Sequence, residues 1–191
     1  LAGRLCVDPA LALEMVFRVA ETSPVVRFKY RLLADQAREL TKVGGRDALI
    51  YAGVSFAASD RCMEVRVGEF LETVHSFHLS EREIPARAFA HEFTAMGPIL
   101  AAGNAEHSWL LAYEHGSQVP DAFVEFSLKP NRDVELRAVK GNYYNGQVLD
   151  TMRPFESVWC HFAASPGDQV SLASHYRSFL LHDLSPNTES R

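Results

Sequence analysis

Cysteine is scarce in this sequence, and the little present does not pair. Cys6, Cys62 and Cys160 are odd in number, widely spaced and form no CxxC. That argues against a disulfide framework and against a zinc site. Three free thiols fit a reducing compartment, and a cytoplasmic protein is the expectation. No apolar run is long enough to cross a bilayer, and the start carries no signal-peptide pattern. Clusters of Lys and Arg are also missing. With 19 basic and 24 acidic residues the formal charge is −5, and phosphate contacts need clustered cations, so neither nucleic acid nor a membrane is expected as a partner. HExxH, G-x-S-x-G, G-x-G-x-x-G and the P-loop are all absent, so no cofactor and no metal are expected.

What is present is an ordinary globular balance: 47% hydrophobic and 23% charged residues over 191 positions. Such a chain suits one domain with its own apolar core. Leu1 in place of Met and the polar end from Ser185 to Arg191 read as cuts from something longer. Strand signals dominate. VVRFKYRLL (Val25 to Leu33) sets Val26, Phe28, Tyr30 and Leu32 on one face and Arg27, Lys29 and Arg31 on the other, the period of a half-buried strand. Further strand runs are Asp47 to Phe56, Met63 to Val67 (ending at Gly68), Phe70 to Leu79, Ser108 to Tyr113, Phe123 to Leu128, Val134 to Val139 and Phe155 to Phe162. Lys129 to Asp133 predicts a hairpin turn. Turn signals at short intervals favour an antiparallel sandwich over βαβ units.

The end of the chain changes period. Ser165-Pro166-Gly167-Asp168 reads as a helix start, with Ser165 as cap and Asp168 three residues on. Val170, Ala173, Tyr176, Phe179 and Leu180 then fall near one helical face. The expected organisation is a β-domain over 1–164, an amphipathic helix over 165–183 and a linker over 184–191.

The candidate chemistry is sparse. Glu114, Asp121 and Glu125 are close in sequence, but glycoside cleavage needs two opposed carboxyls, and these read as a solvated strand face. His75 and His78 are three apart and point to opposite faces of a strand. Two polar, glycine-bearing segments stand out: YEHGSQVPD (Tyr113 to Asp121) and KGNYYNGQ (Lys140 to Gln147). Loops of this kind can seat a sugar, with a ring against its C–H face and amides or carboxylates on its hydroxyls. The substrate-binding candidates are therefore Tyr113, His115, Gln118, Asp121, Tyr143 and Tyr144. The same loops could equally pack on a neighbouring domain. Trp109 and Trp159 lie in strand patterns and read as core. Glu114 and His115, adjacent and so opposed on a strand, make a poor mutarotase acid–base pair.

EHSWLLAYEHGSQVPDAFVEFSL (Glu106 to Leu128), LRAVKGNYYNGQ (Leu136 to Gln147), RPFESVW (Arg153 to Trp159) and GDQVSLASHYRSFLLHDLSPNTESR (Gly167 to Arg191) together resemble the melibiase-type α-galactosidases of glycoside hydrolase family 36. The resemblance runs from about Pro85 to Arg191. It implies an antiparallel, galactose-mutarotase-like β-supersandwich with a C-terminal helix, placed before a (β/α)₈ barrel that this chain lacks. It also implies a retaining hydrolase of terminal α-galactosides that uses two barrel aspartates and no cofactor. No catalytic residue carries over to this segment. The family's Gly-Asp-rich, arginine-containing loop also has no counterpart here. The implied role is non-catalytic, with three partners: the barrel of the same chain, α-galactoside oligosaccharides through the whole enzyme, and further copies in a homo-oligomer. A free-standing carbohydrate-binding module or a mutarotase-like enzyme is the alternative.

Overall fold

A computed structural model describes residues 1–4, 6, 8–40, 49–70, 76–114, 124–138 and 146–184. Its strands are β1 (Ala2–Arg4), β2 (Leu11–Val19), β3 (Val25–Ala34), β4 (Arg38–Leu40), β5 (Leu49–Ser55), β6 (Arg61–Phe70), β7 (Ser76–Ile84), β8 (Phe93–Ala95), β9 (Pro98–Gly103), β10 (His107–Tyr113), β11 (Val124–Leu128), β12 (Asp133–Ala138), β13 (Gln147–Leu149), β14 (Phe155–Glu156) and β15 (Cys160–Pro166). One helix, α1 (Gln169–Phe179), follows, and a π-turn (Leu180–Leu184) extends it.

Among the described residues, nine strands form one antiparallel sheet. Its order is β1-β2-β3-β15-β10-β9-β6-β7, with β14 also pairing β3. Four strands, β5-β12-β11-β8, form a second sheet, and β4 and β13 make a small ribbon. The main core lies between the two large sheets. Tyr30, Leu100, Trp109, Leu111 and Cys160 come from the first sheet, and Tyr51, Phe126, Leu128, Val134 and Leu136 from the second. A smaller core covers the other face of the nine-stranded sheet, where Leu172, Tyr176 and Phe179 of α1 pack on Val25, Leu110, Ala112 and Ala163. Central strand β10 is therefore buried on both faces from Ser108 to Tyr113, which explains its unbroken apolar SWLLAY run.

The antiparallel sandwich is as expected, and the details show where tertiary context intervened. The hairpin turn at Lys129–Asp133 is present: Arg132 N–H donates to the Lys129 carbonyl at 2.9 Å, and Arg132 takes φ 63°. The run Met63 to Val67 continues to Phe70 instead of stopping at Gly68. Its buried side is the polar one, since Glu64 is fully buried while Met63 and Val65 are only half-buried. Glu64 accepts from Arg66 (2.8 Å), Arg82 (2.6 Å) and the Met96 N–H (2.7 Å). Burial pushes its carboxyl up, but these partners outweigh it and hold it below the usual range.

The expected Phe70–Leu79 strand straddles two strands, with Phe70 paired to Ser76 across the β6–β7 hairpin. Phe155 to Phe162 splits into β14 and β15.

The helix begins three residues later than its sequence signature. Ser165 and Pro166 remain in the ladder, opposite Ser108 and His107, because β10 pairs along the whole of β15. The cap is Asp168, whose side chain accepts from the Ser171 N–H at 3.0 Å. The buried face uses Leu172, while Val170 and Ala173 are exposed. Asp168→Ala is expected to destabilise the chain by about 1 kcal/mol, read as a shift in urea midpoint, whereas Ser165→Ala leaves the cap intact. Of the expected linker over 184–191, Leu184 closes the π-turn, and the rest lies outside the described residues.

Candidate functional site

Alternation on β3 places Arg27, Lys29 and Arg31 on the outer face of the nine-stranded sheet, beside the edge of α1. Three cations on one strand face need acids from elsewhere, and two distant segments supply them. Glu114, just past β10, takes a bidentate pair from Arg27: Nε to Oε1 at 2.5 Å and Nη2 to Oε2 at 2.7 Å. Glu156 on β14 takes Lys29 Nζ at 2.8 Å and Arg31 Nε at 2.7 Å. Arg31 also reaches Glu14 on β2 at 3.2 Å.

His161 on β15 joins this row to the helix. Its Nε2 lies 2.6 Å from Glu114 Oε1, and its Nδ1 lies 2.8 Å from the Tyr176 hydroxyl. The ring is buried against Tyr176 and Phe179, at centroid distances of 5.8 and 5.0 Å. Burial pushes the Glu114 carboxyl up, but the hydrogen bonds from His161 and Arg27 and their charges win, holding it at about 2. The hydrogen bond from Lys29 lowers Glu156 as well. Burial raises the Tyr176 phenol well above its ordinary value.

Residues 157–159 leave the ladder between β14 and β15. There Ser157 Oγ accepts from the Tyr30 N–H at 3.0 Å, and the Trp159 carbonyl accepts from the Glu114 N–H at 2.9 Å. Freed from the pleat, the Trp159 indole lies on the cationic row: Arg27 at 4.2 Å, Arg18 at 5.0 Å and Lys29 at 5.1 Å from its centroid. Trp159 is thus half-buried on the outer face and not in the core, whereas Trp109 is core as expected.

These groups surround a cleft of about 720 Å³. Its walls are Lys29, Glu114, Glu156 and Trp159 on one side, with Tyr176 and Leu180 of the helical segment on the other. Both carboxylates are ionised at neutral pH and bound to cations. A general acid for glycoside cleavage needs the opposite, a carboxyl kept protonated. Neither carboxylate of the cleft meets that requirement.

Of the six sugar-contact candidates, Tyr113 lines this cleft. Its ring turns inward onto Phe126 at 5.8 Å, and its hydroxyl reaches the carbonyls of Met96 and Val124. His115, Gln118, Asp121, Tyr143 and Tyr144 lie outside the described residues. Glu114 is not the solvated carboxylate its neighbourhood suggested. No group of three or more His, Cys, Asp or Glu among the described residues could hold a metal ion, and no described helix is long and apolar enough to cross a membrane.

No protein-family model matches the chain, and no curated protein matches it. Solved structures do. The chain is similar to the galactosidase domain of the α-galactosidase–sucrose kinase AgaSK, with 10% identity and a TM-score of 0.52, over 88% of this chain and 24% of that one. It is similar to the GH36 α-galactosidase AgaA from Geobacillus stearothermophilus, with 10% identity and a TM-score of 0.53, over 87% and 23%. It is also similar to the α-galactosidase from Lactobacillus brevis, with 8% identity and a TM-score of 0.52, over 90% and 23%. At these identities the likeness establishes the fold: the sandwich is one that GH36 α-galactosidases contain. The chain spans about a quarter of their length.

Proposed function

We propose that the chain is a non-catalytic N-terminal β-supersandwich domain of an α-galactosidase-type glycoside hydrolase. It braces a (β/α)₈ barrel of the same protein, shapes the rim of its pocket and contributes contacts between copies. The observation that carries this reading is coverage. Some 87–90% of this chain aligns with about a quarter of each α-galactosidase, which leaves the remainder of those chains for the chemistry. The cleft's chemistry agrees, because Glu114 and Glu156 are both held as paired anions. Burial pushes the thiols of Cys62 and Cys160 up to about 12, so neither is a nucleophile. Free, inert thiols also suit a cytoplasmic enzyme.

The test compares this 191-residue chain with the product of its uninterrupted reading frame, using an aryl α-galactoside and following the anomer released by NMR. The chain alone is expected to release no aryl alcohol above buffer, and the longer protein to hydrolyse with retention. Hydrolysis that copurifies with the short chain would refute the non-catalytic reading. A longer product with no α-galactosidase activity would refute the family assignment. The alternative, a sugar-binding module, draws on the exposed Trp159 cleft.

A further inference from the structure

Bracing a neighbour does not account for the cleft beside α1. Its central side chain, Trp159, sits outside every ladder on residues 157–159, and its indole is braced by Arg27 at 4.2 Å with Lys29 and Arg18 about 5 Å away. A large aromatic fixed on a row of cations and left half-exposed is a preformed platform. Its rotamer is set before anything binds, so little side-chain entropy remains to be lost.

Beside the platform stand two ionised carboxylates, each already oriented. Glu114 is held by Arg27 and His161, and Glu156 by Lys29 and Arg31. Both Glu156 oxygens and Glu114 Oε2 keep a lone pair for another donor, whereas Glu114 Oε1 is already taken by Arg27 and His161. The Lys29 ammonium lines the same cleft and has N–H groups beyond the one given to Glu156.

This combination selects among ligand classes. A phosphate or other anion would face two carboxylates on the wall. A small cation would face Lys29 and Arg27. A wholly apolar ligand would strip water from at least three charged groups with no compensating bond. A neutral polyol avoids all three penalties: its hydroxyls donate to Glu114 and Glu156 and accept from Lys29, and its C–H face covers the indole. The volume, about 720 Å³, is that of a small-ligand site and accommodates one or two sugar rings.

We infer that this cleft is a binding site for a neutral pyranose, stacked on Trp159 and hydrogen-bonded by Glu156, Glu114 and Lys29. The inference deepens the reading above and rests on it for the choice of galactosyl probes.

The two tryptophans give the experiment its signal, because Trp109 is core and Trp159 is not. The 191-residue chain is titrated with galactose, melibiose and raffinose, followed by calorimetry and by tryptophan emission in Trp109→Phe. Saturable binding with Kd of about 1 mM is expected. Trp159→Ala should weaken it at least about tenfold, the loss of one stacked ring and its buried area. Glu156→Gln, at an exposed position, should weaken it severalfold with an unchanged circular dichroism spectrum. If Trp159→Ala fails to fold, Trp159→Phe and the shift of the Trp159 indole N–H in the wild-type NMR spectrum carry the test.

No saturable signal up to about 50 mM sugar, fifty times that Kd, would overturn the inference. So would binding that Trp159→Ala leaves unchanged, or shifts that avoid the indole. Binding by this chain that disappears in the longer protein would show the cleft to be an internal contact, and would overturn it too. The family reading is tested separately by hydrolysis, which can succeed while this cleft binds nothing.

Discussion

Glu114→Ala is expected to destabilise the protein by about 3–5 kcal/mol, the usual penalty for removing one member of a buried charge network. The side chains left behind explain the size. Arg27 is only 17% exposed and His161 only 2%, so neither can turn to water when its acceptor is lost. The bidentate pair and the imidazole contact vanish together, and the tie from β15 through His161 to Tyr176 on α1 is loosened at its root. Glu114→Gln keeps the shape and one acceptor, and should fall between.

The pH dependence follows from the same cluster. Glu114 has a native pKa of about 2 against the ordinary 4.5. A carboxyl lowered on folding contributes its stability above pH ~4.5 and loses it as pH falls from there through about 2. The shift corresponds to about 3 kcal/mol. Urea midpoints should therefore show the gap between wild type and Glu114→Gln closing from pH 6 to pH 2. A gap that stays constant, or an alanine variant within about 0.5 kcal/mol of wild type, would mean that the cluster does not hold the sheet to the helix.

Phe126→Ala should cost a similar amount, about 3–5 kcal/mol, by a different route. Phe126 is completely buried at the centre of the second sheet, opposite Leu136 on β12 and Ala95 on β8. Its ring lies 5.8 Å from that of Tyr113, across the sandwich. A Cβ on Gly97, which has φ +79°, would lie 2.6 Å from the Phe126 ring edge. The glycine keeps that space clear for the ring. For a chain of this size the melting temperature should drop by about 10 °C. Val170→Ala, at a position 73% exposed, is the contrasting case and should stay within about 0.5 kcal/mol.

The fold was readable where one local period dominates. Alternation from Val25 to Leu33 and from Val134 to Val139 marks β3 and β12 within a residue or so. On β6 alternation marks the strand but not the buried face, because it has no way to know that Arg66, Arg82 and a backbone N–H converge on Glu64. The helix was visible in its period, but its start was misplaced because a local capping pattern at Ser165 lost to a long-range ladder with β10.

The cleft was the least legible part. Glu114 and His161 are 47 residues apart, and Arg27 is 87 from Glu114, too far for any local pattern to link them. The available clue was three cations on one face of β3, a charge excess that an outer sheet face has to balance. Trp159 was hidden for another reason: PFESVWCHF reads as one strand, and nothing local announces that the chain steps out of register between Glu156 and Cys160.

That step has a consequence for how such a scaffold could diversify. β14 and β15 both lie along β3, so the pairing on either side of residues 157–159 is fixed independently of what lies between. Ser157 and the Trp159 carbonyl are tied to Tyr30 and Glu114 through hydrogen bonds, but the Trp159 side chain can change identity without slipping either ladder. The platform of the cleft is thus an exchangeable part mounted on a rigid frame, and selectivity there could be retuned by substitutions that the rest of the sandwich would not feel.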